Sequence, residues 1–245
     1  MSGDRPVTPI VDEISPWMHA VAAVSRAGVA GLTRVRVVGA IDEIPRNGPV
    51  IVAANHASNL DPVVIASSLL PKLGRRLQWL GKKELFAWPV VGWMARNGGV
   101  HAVDRSTADV EAYRLAKRIL DDGHALFVFP EGTRSHDGTL QAARDGASAL
   151  ALRTGAPIVP VGITGSYECW PRGQKLPHPG GRVTIRVGSP FRLADELPAG
   201  LDRRAATPAA TDLIMRRIAH LLPPAQRGRY GDPAPAIPES PSSEP

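Results

Sequence analysis

Short apolar runs alternate with amphipathic stretches along most of this chain. Apolar runs bounded by polar or turn residues predict strands, and they occupy residues 49–54, 77–80, 99–103, 125–129, 157–164 and, with alternation, 182–187. Apolar positions three and four residues apart predict helices, and they occupy residues 14–34, 61–70, 89–96, 106–122, 146–153 and 212–222. Strands that alternate with helices predict an α/β fold with a mostly parallel twisted sheet flanked by helices.

The two ends of the chain differ from this middle part. The helix predicted at 14–34 is amphipathic, and the face with Val21 and Val24 would either pack on the domain or lie in a membrane interface. From Pro223 onward the chain is rich in Pro, Ser, Ala and Gly and has too little apolar surface to order itself. We therefore predict an N-terminal amphipathic helix within residues 1–36, a main domain at 37–222 and a disordered Pro-rich tail at 223–245.

Composition and charge narrow the class of protein. The chain has 245 residues, 43% of them hydrophobic, which suits one large domain with a substantial core. Its net charge of +6 makes phosphates, an anionic membrane surface or nucleic acid plausible partners. Cys169 is the only cysteine, which fits a reducing compartment. We see neither a secretory signal pattern nor an apolar stretch that spans a bilayer, so we expect any contact of this chain with a membrane to be at the membrane surface.

A histidine and a carboxylate follow the strand predicted at 49–54. His56 lies where α/β sheets bind ligands, and Asp61 comes five residues later. An imidazole can take a proton from a substrate hydroxyl, and a carboxylate can fix its tautomer. Side chains five residues apart on a regular helix point about 140° apart, so the pair works only if His56 lies on a loop and Asp61 at a helix start, which Pro62 favours. This spacing alone is close to chance, and Asp61 as the N-cap of that helix is the alternative.

A second polar segment, residues 129–135, follows the strand predicted at 125–129 and should reach the same edge of the sheet. Arg134 has the planar guanidinium that binds phosphate through two bonds. Gly132 lets backbone N–H groups approach a ligand closely, and Glu131 could bind a substrate hydroxyl or hold Arg134. The alternative interpretation is a surface turn with a salt bridge.

Together with two further segments, these motifs resemble the blocks of the glycerophospholipid acyltransferase family, specifically the 1-acylglycerol-3-phosphate acyltransferases. Residues 55–61 are similar to its N-H-x-S-x-x-D block, and residues 129–135 match its third block in full. Residues 99–105 resemble the second block and residues 158–161 match the fourth, all in the family's order. Four blocks in order are far more specific than any one of them.

Two positions depart from the family pattern. His101 replaces the aromatic or aliphatic residue usual in the second block, and Ala143 replaces a Phe that often follows the third block. Loss of a bulky ring at Ala143 would reshape the acceptor or acyl pocket. These departures bear on the choice of acceptor more than on the class of reaction.

The resemblance implies an O-acyltransferase that moves a fatty acyl group from a thioester, on coenzyme A or acyl carrier protein, to the free hydroxyl of 1-acylglycerol 3-phosphate, giving phosphatidic acid. It implies that His56 is the general base and that Asp61 holds its ring. The residues that it implies for substrate binding are Lys83, Arg105, Glu131, Gly132, Thr133 and Arg134. It implies no metal, no resident cofactor and no nucleic-acid partner, and a peripheral place at the cytoplasmic face of the cell membrane.

Three other functions stay open at this point. The nearest is an acyltransferase of the same family that uses another lysophospholipid or a glycolipid as acceptor. A non-catalytic module that binds membranes or nucleic acid would not depend on His56. A metal-assisted phosphoesterase would need more clustered carboxylates than the chain offers.

Residues 69–96 combine basic and aromatic side chains. Trp79, Trp88 and Trp93 are interleaved with lysines and arginines, a composition typical of bilayer interfaces. The alternatives are an acyl-chain channel and an ordinary core beside a solvated basic face. We expect this segment to contact lipid, as membrane or as acyl chain.

Overall fold

Seven strands form a central sheet in the computed structural model, which describes residues 16–103 and 108–231. The strands are β1 (Thr33–Gly39), β2 (Val50–Ala54), β3 (Leu77–Lys82), β4 (Val100–Val103), β5 (Ala125–Val128), β6 (Ile158–Thr164) and β7 (Gly181–Val187). Their order across the sheet is β1-β7-β6-β2-β5-β3-β4. Neighbours are parallel except β6 and β7, so β1 and β7 run opposite to the other five strands. The prediction of a mostly parallel sheet is confirmed.

Helices cover both faces of the sheet. They are α1 (Pro16–Leu32), α2 (Asp61–Val64), α3 (Leu70–Leu73), α4 (Pro89–Asn97), α5 (Ala108–Asp121), α6 (Gly146–Thr154), α7 (Ser166–Cys169), α8 (Leu193–Glu196) and α9 (Arg203–His220). A π-helical turn at Ile65–Leu69 joins α2 to α3. Short 3-10 turns lie at Ile41–Glu43, Lys83–Ala87, Pro224–Gln226 and Gly228–Tyr230.

Strand β2 separates two hydrophobic cores. Val50, Val52 and Ala54 pack in the core that includes side chains of α1, α2 and α3. Ile51 and Ala53 pack in the core formed with α5, α6 and α9. Successive side chains of a strand point to opposite faces, so a strand covered on both sides needs apolar residues throughout. This requirement explains why the continuous apolar run identified β2.

Helix α1 ends at Leu32, and the chain continues directly into β1, which the hydrophobic pattern did not predict. The main domain therefore includes β1, part of which we had placed in the N-terminal segment. Val29 is 4% exposed, whereas Val24, on the face predicted to be apolar, is 74% exposed. Nε of Arg26 donates to the carbonyl of Ser67 at 3.1 Å, so α1 packs on the domain through part of its circumference. Among the described residues, no helix is both long and apolar enough to cross a membrane.

The C-terminal region is more ordered than its composition predicted. Helix α9 begins well before residue 212, because Asp202 caps it by accepting the N–H of Ala205 at 2.7 Å. Beyond it, Tyr230 is 7% exposed in the core, and its hydroxyl accepts the N–H of Ala143 at 3.2 Å. Residues 223–231 are therefore part of the folded domain, a correction to the predicted tail. Residues 232–245 lie outside the described part of the chain.

Candidate active site

The loops that follow β2, β5 and β6 lie side by side, because β2 pairs in parallel with both of the other strands. The first two loops carry the two sequence motifs and are hydrogen bonded to each other. The N–H of His56 donates to Oε1 of Glu131 at 2.6 Å, and the N–H of Ser135 donates to the carbonyl of His56 at 2.7 Å. The structure thus brings the two motifs together at one edge of the sheet.

His56 and Asp61 form a hydrogen-bonded pair. Nδ1 of His56 and Oδ2 of Asp61 are 2.9 Å apart, with 16% of the His56 side chain and 0% of the Asp61 side chain exposed. Because a carboxylate only accepts hydrogen bonds, Nδ1 of His56 is the donor, which leaves Nε2 as the acceptor nitrogen in the neutral form of the ring. Within the described part of the chain, Nε2 has no hydrogen-bond partner. The pair has the arrangement of a general base and the carboxylate that orients it.

Helix α2 begins at Asp61, as the spacing of the motif required, but Asp61 is not its cap. The N-cap position belongs to Leu60, and no side chain caps the helix. Oδ2 of Asp61 instead accepts the N–H groups of Ala57 at 2.8 Å and Ser58 at 2.7 Å, besides the imidazole of His56. The alternative of Asp61 as the helix cap is therefore wrong, and the hydrogen bonds of this carboxylate go to His56 and its loop.

Two other polar residues of the first motif hold its loop in place. Nδ2 of Asn55 donates to the carbonyl of Ile163 at 2.9 Å, and Oδ1 accepts the N–H of Ile163 at 2.7 Å. Oγ of Ser58 donates to the carbonyl of Trp170 at 2.7 Å. Neither residue was predicted to have a role, although a buried polar side chain directly after an apolar strand needs hydrogen-bond partners. Both residues position the loop from within.

An aromatic ring fixes the plane of the imidazole. Phe129 stacks on His56, with centroids 3.9 Å apart and planes 10° apart. Phe129 in turn meets Phe127 edge-to-face at 4.9 Å, and Phe127 belongs to the core. This contact was not predicted from the sequence. The available signal was an aromatic residue directly after β5, at the same edge of the sheet as His56.

Glu131 is buried and fully engaged by backbone. It is 3% exposed, and besides the N–H of His56 on Oε1, Oε2 accepts the N–H of Gln141 at 2.7 Å. Burial raises the pKa of Glu131 to about 7, although both N–H bonds act in the opposite direction. These contacts favour a role in positioning the His56 loop over the substrate contact that the sequence suggested.

Comparison with known proteins gives the family. The family model described as Acyltransferase matches residues 34–164, more than half of the chain and both motifs. The chain belongs to the Acyltransferase family. This membership accounts for the order of the four blocks along the sequence.

Relatives in the acyltransferase family differ in how much of the chain they match. A chloroplastic 1-acyl-sn-glycerol-3-phosphate acyltransferase of Brassica napus is 33% identical over 141 residues, covering 56% of this chain and 40% of its own length. A lyso-ornithine lipid O-acyltransferase of Pseudomonas aeruginosa is 30% identical over 235 residues, covering 91% of this chain and 85% of its own. The crystal structure of the 1-acyl-sn-glycerophosphate (LPA) acyltransferase of Thermotoga maritima has a TM-score of 0.66 and 27% identity, covering 83% of this chain and 79% of that one. The chain thus spans about two fifths of the plant relative's length.

The other residues that the acyltransferase blocks imply for substrate binding are placed as follows. Gly132 lies in a tight turn with φ of 68°, a conformation that favours glycine, and its N–H donates to the carbonyl of Phe129 at 3.0 Å. That N–H is therefore used within the turn. Lys83 is exposed in the 3-10 turn that follows β3. Arg105 lies outside the described residues.

Arg134 of the third acyltransferase block forms no salt bridge with any residue that the structure describes. Its half-buried guanidinium makes no hydrogen bond with the part of the chain that the structure describes. Burial lowers the pKa of Arg134, the guanidinium of Arg172 lowers it further, and the carboxylate of Asp61 opposes the shift. Thr133, beside it, is exposed. An unpaired cation that feels the charge of Asp61 suits an anionic group on a ligand.

An apolar cavity of about 630 Å³ lies next to this acyltransferase block. Phe129 and Gly132 contribute to its lining on one side, and Tyr113 of α5 and Leu150 of α6 on another. Its volume and mostly apolar lining are typical of a site for a small organic ligand. The cavity therefore offers space for an apolar chain beside the residue that stacks on His56.

Residues 69–96 divide between core and surface. Trp79 is 9% exposed and stacks on Phe127 with centroids 4.0 Å apart. Trp88 is 65% exposed and Leu85 is 40% exposed. The expected lipid contact is therefore wrong for Trp79, which belongs to the core, and stays a prediction for Leu85 and Trp88.

Proposed function

We propose that this protein transfers a fatty acyl group from an acyl thioester to the free hydroxyl of 1-acylglycerol 3-phosphate, giving phosphatidic acid. The observation that carries the proposal is the His56–Asp61 pair, with Nδ1 and Oδ2 2.9 Å apart and Arg134 within its electrostatic reach. This acceptor needs a base for its hydroxyl and a cation for its phosphate. The relatives from Brassica napus and Thermotoga maritima carry names with this acceptor, which supports the proposal.

The proposed reaction is a direct transfer. Nε2 of His56 removes the hydroxyl proton while the hydroxyl oxygen attacks the carbonyl carbon of the thioester. The carboxylate of Asp61 stabilises the imidazolium that forms. The tetrahedral intermediate then expels the sulfur, which takes the proton from the imidazolium and leaves as a free thiol. The products are the new ester and the thiol, with no covalent intermediate on the enzyme and no resident metal or cofactor.

In this proposal the acyl chain of the donor occupies the apolar cavity. The lining residues Phe129 and Gly132 belong to the block that touches the His56 loop, so a chain there would place its thioester near Nε2. Proximity of this kind lowers the barrier by holding the two reactants together. Coenzyme A and acyl carrier protein present the same thioester, and both are accepted as donors in the proposal.

We further propose that the protein acts at the cytoplasmic face of the cell membrane as a peripheral protein. Exposed Trp88 and Leu85 follow exposed Lys82 and Lys83 along one short surface segment. Cations near headgroups and aromatic rings at the boundary are typical of an interface with anionic lipid. Flotation with anionic liposomes at low salt tests this part: Trp88→Ser should weaken binding, and equal binding would contradict it.

A second acceptor is favoured by one comparison. The match with the relative from Pseudomonas aeruginosa covers 91% of this chain and 85% of that relative's length. That relative is named a lyso-ornithine lipid O-acyltransferase. An acceptor with an ornithine headgroup also offers a hydroxyl to the His56 base. The cations of the site would bind a phosphate in 1-acylglycerol 3-phosphate, whereas they would meet an ornithine headgroup in the second acceptor.

Product analysis tests the proposed function. The purified protein is given one acyl-CoA and a mixture of lysophosphatidate, lyso-ornithine lipid and other lysolipids, and products are identified by mass spectrometry. Phosphatidic acid as the main product, absent with His56→Ala, is the expected result. Diacyl ornithine lipid as the main product would favour the second acceptor, and no new ester from any lysolipid would overturn both.

A further inference from the structure

A segment beyond the four blocks is bound to the loop that carries His56. Residues 170–172 follow α7, and their backbone accepts three hydrogen bonds from this loop. The carbonyl of Trp170 accepts Oγ of Ser58 at 2.7 Å and the N–H of Asn59 at 3.1 Å. The carbonyl of Pro171 accepts Nδ2 of Asn59 at 3.2 Å. The position of the next residue, Arg172, is therefore set relative to His56 and Asp61.

The side chain of Arg172 lies against the third block. Its Nη1 atom is 3.4 Å from Oγ1 of Thr133 and 3.2 Å from Nε2 of His136. Tyr167 of α7 holds the same loop, since its hydroxyl donates to the carbonyl of His136 at 2.9 Å. A guanidinium only donates, so both of its partners act as neutral acceptors. The charge of Arg172 has no carboxylate opposite it among the described residues.

Arg134 and Arg172 are close enough to repel each other. The positive charge of Arg172 lowers the pKa of Arg134, second only to the effect of burial. Two like charges held near each other destabilise the unliganded site, a cost that the carboxylate of Asp61 offsets only in part for Arg134, and an anion between the two guanidinium groups removes that repulsion. Guanidinium groups bind phosphate oxygens through paired hydrogen bonds, which a single arginine cannot provide to all three oxygens of a phosphate monoester.

We propose that Arg172 is the second cation of a phosphate site, which it forms with Arg134, and that this site binds the phosphate monoester of the acceptor. The inference rests on the proposed function. Coenzyme A also carries phosphates, but the pantetheine arm separates them from its thioester. In 1-acylglycerol 3-phosphate the reactive hydroxyl and the phosphate are on neighbouring carbons, so the phosphate must bind close to His56. Arg172 meets that condition because its segment is hydrogen bonded to Ser58 and Asn59.

The experiment has a binding arm and a kinetic arm. The binding arm titrates glycerol 3-phosphate and, separately, coenzyme A into the wild-type protein, Arg172→Gln and Arg172→Lys by calorimetry. Lys175→Gln is the matched control, because Lys175 lies in the same exposed loop and makes no hydrogen bond with the described residues. The kinetic arm measures kcat and the two KM values with lysophosphatidate and acyl-CoA, and repeats them with monoacylglycerol, which lacks the phosphate.

Arg172→Gln should weaken glycerol 3-phosphate binding and raise the KM for lysophosphatidate by about tenfold or more. In Arg172→Gln the KM for acyl-CoA and the turnover of monoacylglycerol should stay unchanged. The control Lys175→Gln should match the wild-type protein in glycerol 3-phosphate binding and in the KM for lysophosphatidate. Arg172→Lys should show a smaller loss, since it keeps the charge without the planar fork. A role in folding alone would lower kcat for both acceptors equally and would overturn the inference.

The remaining outcomes separate the inference from the proposed function. If Arg172→Gln weakens coenzyme A instead of glycerol 3-phosphate, the cation pair serves the donor and the inference is wrong. If the wild-type protein binds no glycerol 3-phosphate, there is no phosphate site. If lysophosphatidate is acylated with an unchanged KM in Arg172→Gln, the inference fails while the proposed function stands. If glycerol 3-phosphate binding depends on Arg172 but lysophosphatidate is not acylated, the site stands and the proposed function fails.

Discussion

Phe129 stacks on the imidazole of His56 with their ring planes only 10° apart, so an aromatic side chain of one motif sets the orientation of the proposed base in the other. We expect Phe129→Leu to lower kcat about three- to tenfold, since stacked aromatic pairs contribute about 0.5–1.5 kcal/mol beyond burial. The KM for the acceptor should change little. The same substitution in a His56→Ala background should have no further effect on turnover; a further loss there would show that Phe129 acts elsewhere.

The His56–Asp61 pair predicts two distinct losses of activity. His56→Ala removes the proposed base, and Asp61→Asn removes the negative charge that would stabilise the imidazolium. Each should lower kcat by about 10²–10⁴, the usual contribution of a positioned base. Thioester release measures turnover, and circular dichroism verifies folding. His220→Ala, a change at an exposed histidine, is the matched control. Near-wild-type turnover in a folded His56 or Asp61 variant would rule out the pair.

Glu131 makes stability depend on pH. Its pKa is about 7 in the folded protein against an ordinary value of 4.5, so the folded protein binds this proton more tightly than the unfolded chain does. The free energy of unfolding from this group is therefore highest below about pH 4.5 and falls as the pH rises towards about 7. Denaturant titrations at about pH 5 and about pH 8 should show a smaller fall in Glu131→Gln than in the wild-type protein. An equal fall would place the pH dependence in other groups.

The same Glu131→Gln variant tests the positioning role. A glutamine amide has one acceptor oxygen, so it cannot accept both the N–H of His56 and the N–H of Gln141 as the carboxylate does. We expect kcat to fall while the KM for the acceptor stays within about twofold. A large rise in that KM with unchanged kcat would instead restore the substrate contact implied by the sequence.

Tyr230 ties the C-terminal segment to the loop after the third block. Its ring is buried, and its hydroxyl accepts the N–H of Ala143, the position where the family often has a Phe. Tyr230→Phe should lower the free energy of unfolding by about 1 kcal/mol, and Tyr230→Ala by about 3 kcal/mol or more. Denaturant titration checks both values. No change in Tyr230→Ala would mean that the segment is dispensable, as expected of a disordered tail.

The pair of His56 and Asp61 could be predicted because its two residues lie close together in the sequence. His56 and Asp61 belong to one short motif, and the need for a loop and a helix start followed from helix geometry and Pro62. The roles of Phe129 and Arg172 depend on which loops meet, a property that pairing between β2, β5 and β6 decides. Which strands pair in the sheet cannot be derived from a single sequence.

The fold shows the same division between local and long-range causes. Strand β2 was predictable because burial on both faces demands a continuous apolar run. Strand β1 was missed because the predicted helix was extended over its first residues, although the alternation of Arg34 and Arg36 with valines is a strand pattern, and because its neighbour β7 is far along the chain. The order of residues 223–231 was missed because composition predicts disorder, whereas the docking of Tyr230 depends on a site elsewhere in the domain.

In the proposed function the apolar cavity holds the acyl chain of the donor, so its size should select chain length. Ala112 of α5 contributes to its lining, and a larger side chain there would shorten the space available to a chain. Given a mixture of acyl-CoA donors of different lengths, Ala112→Trp should shift the products towards shorter chains. The overall rate with the shortest donor should stay close to that of the wild-type protein, since the His56 pair is untouched. Glu111→Trp is the matched control, because its exposed neighbouring side chain does not line the cavity. The same chain-length distribution in both variants would show that the acyl chain binds elsewhere.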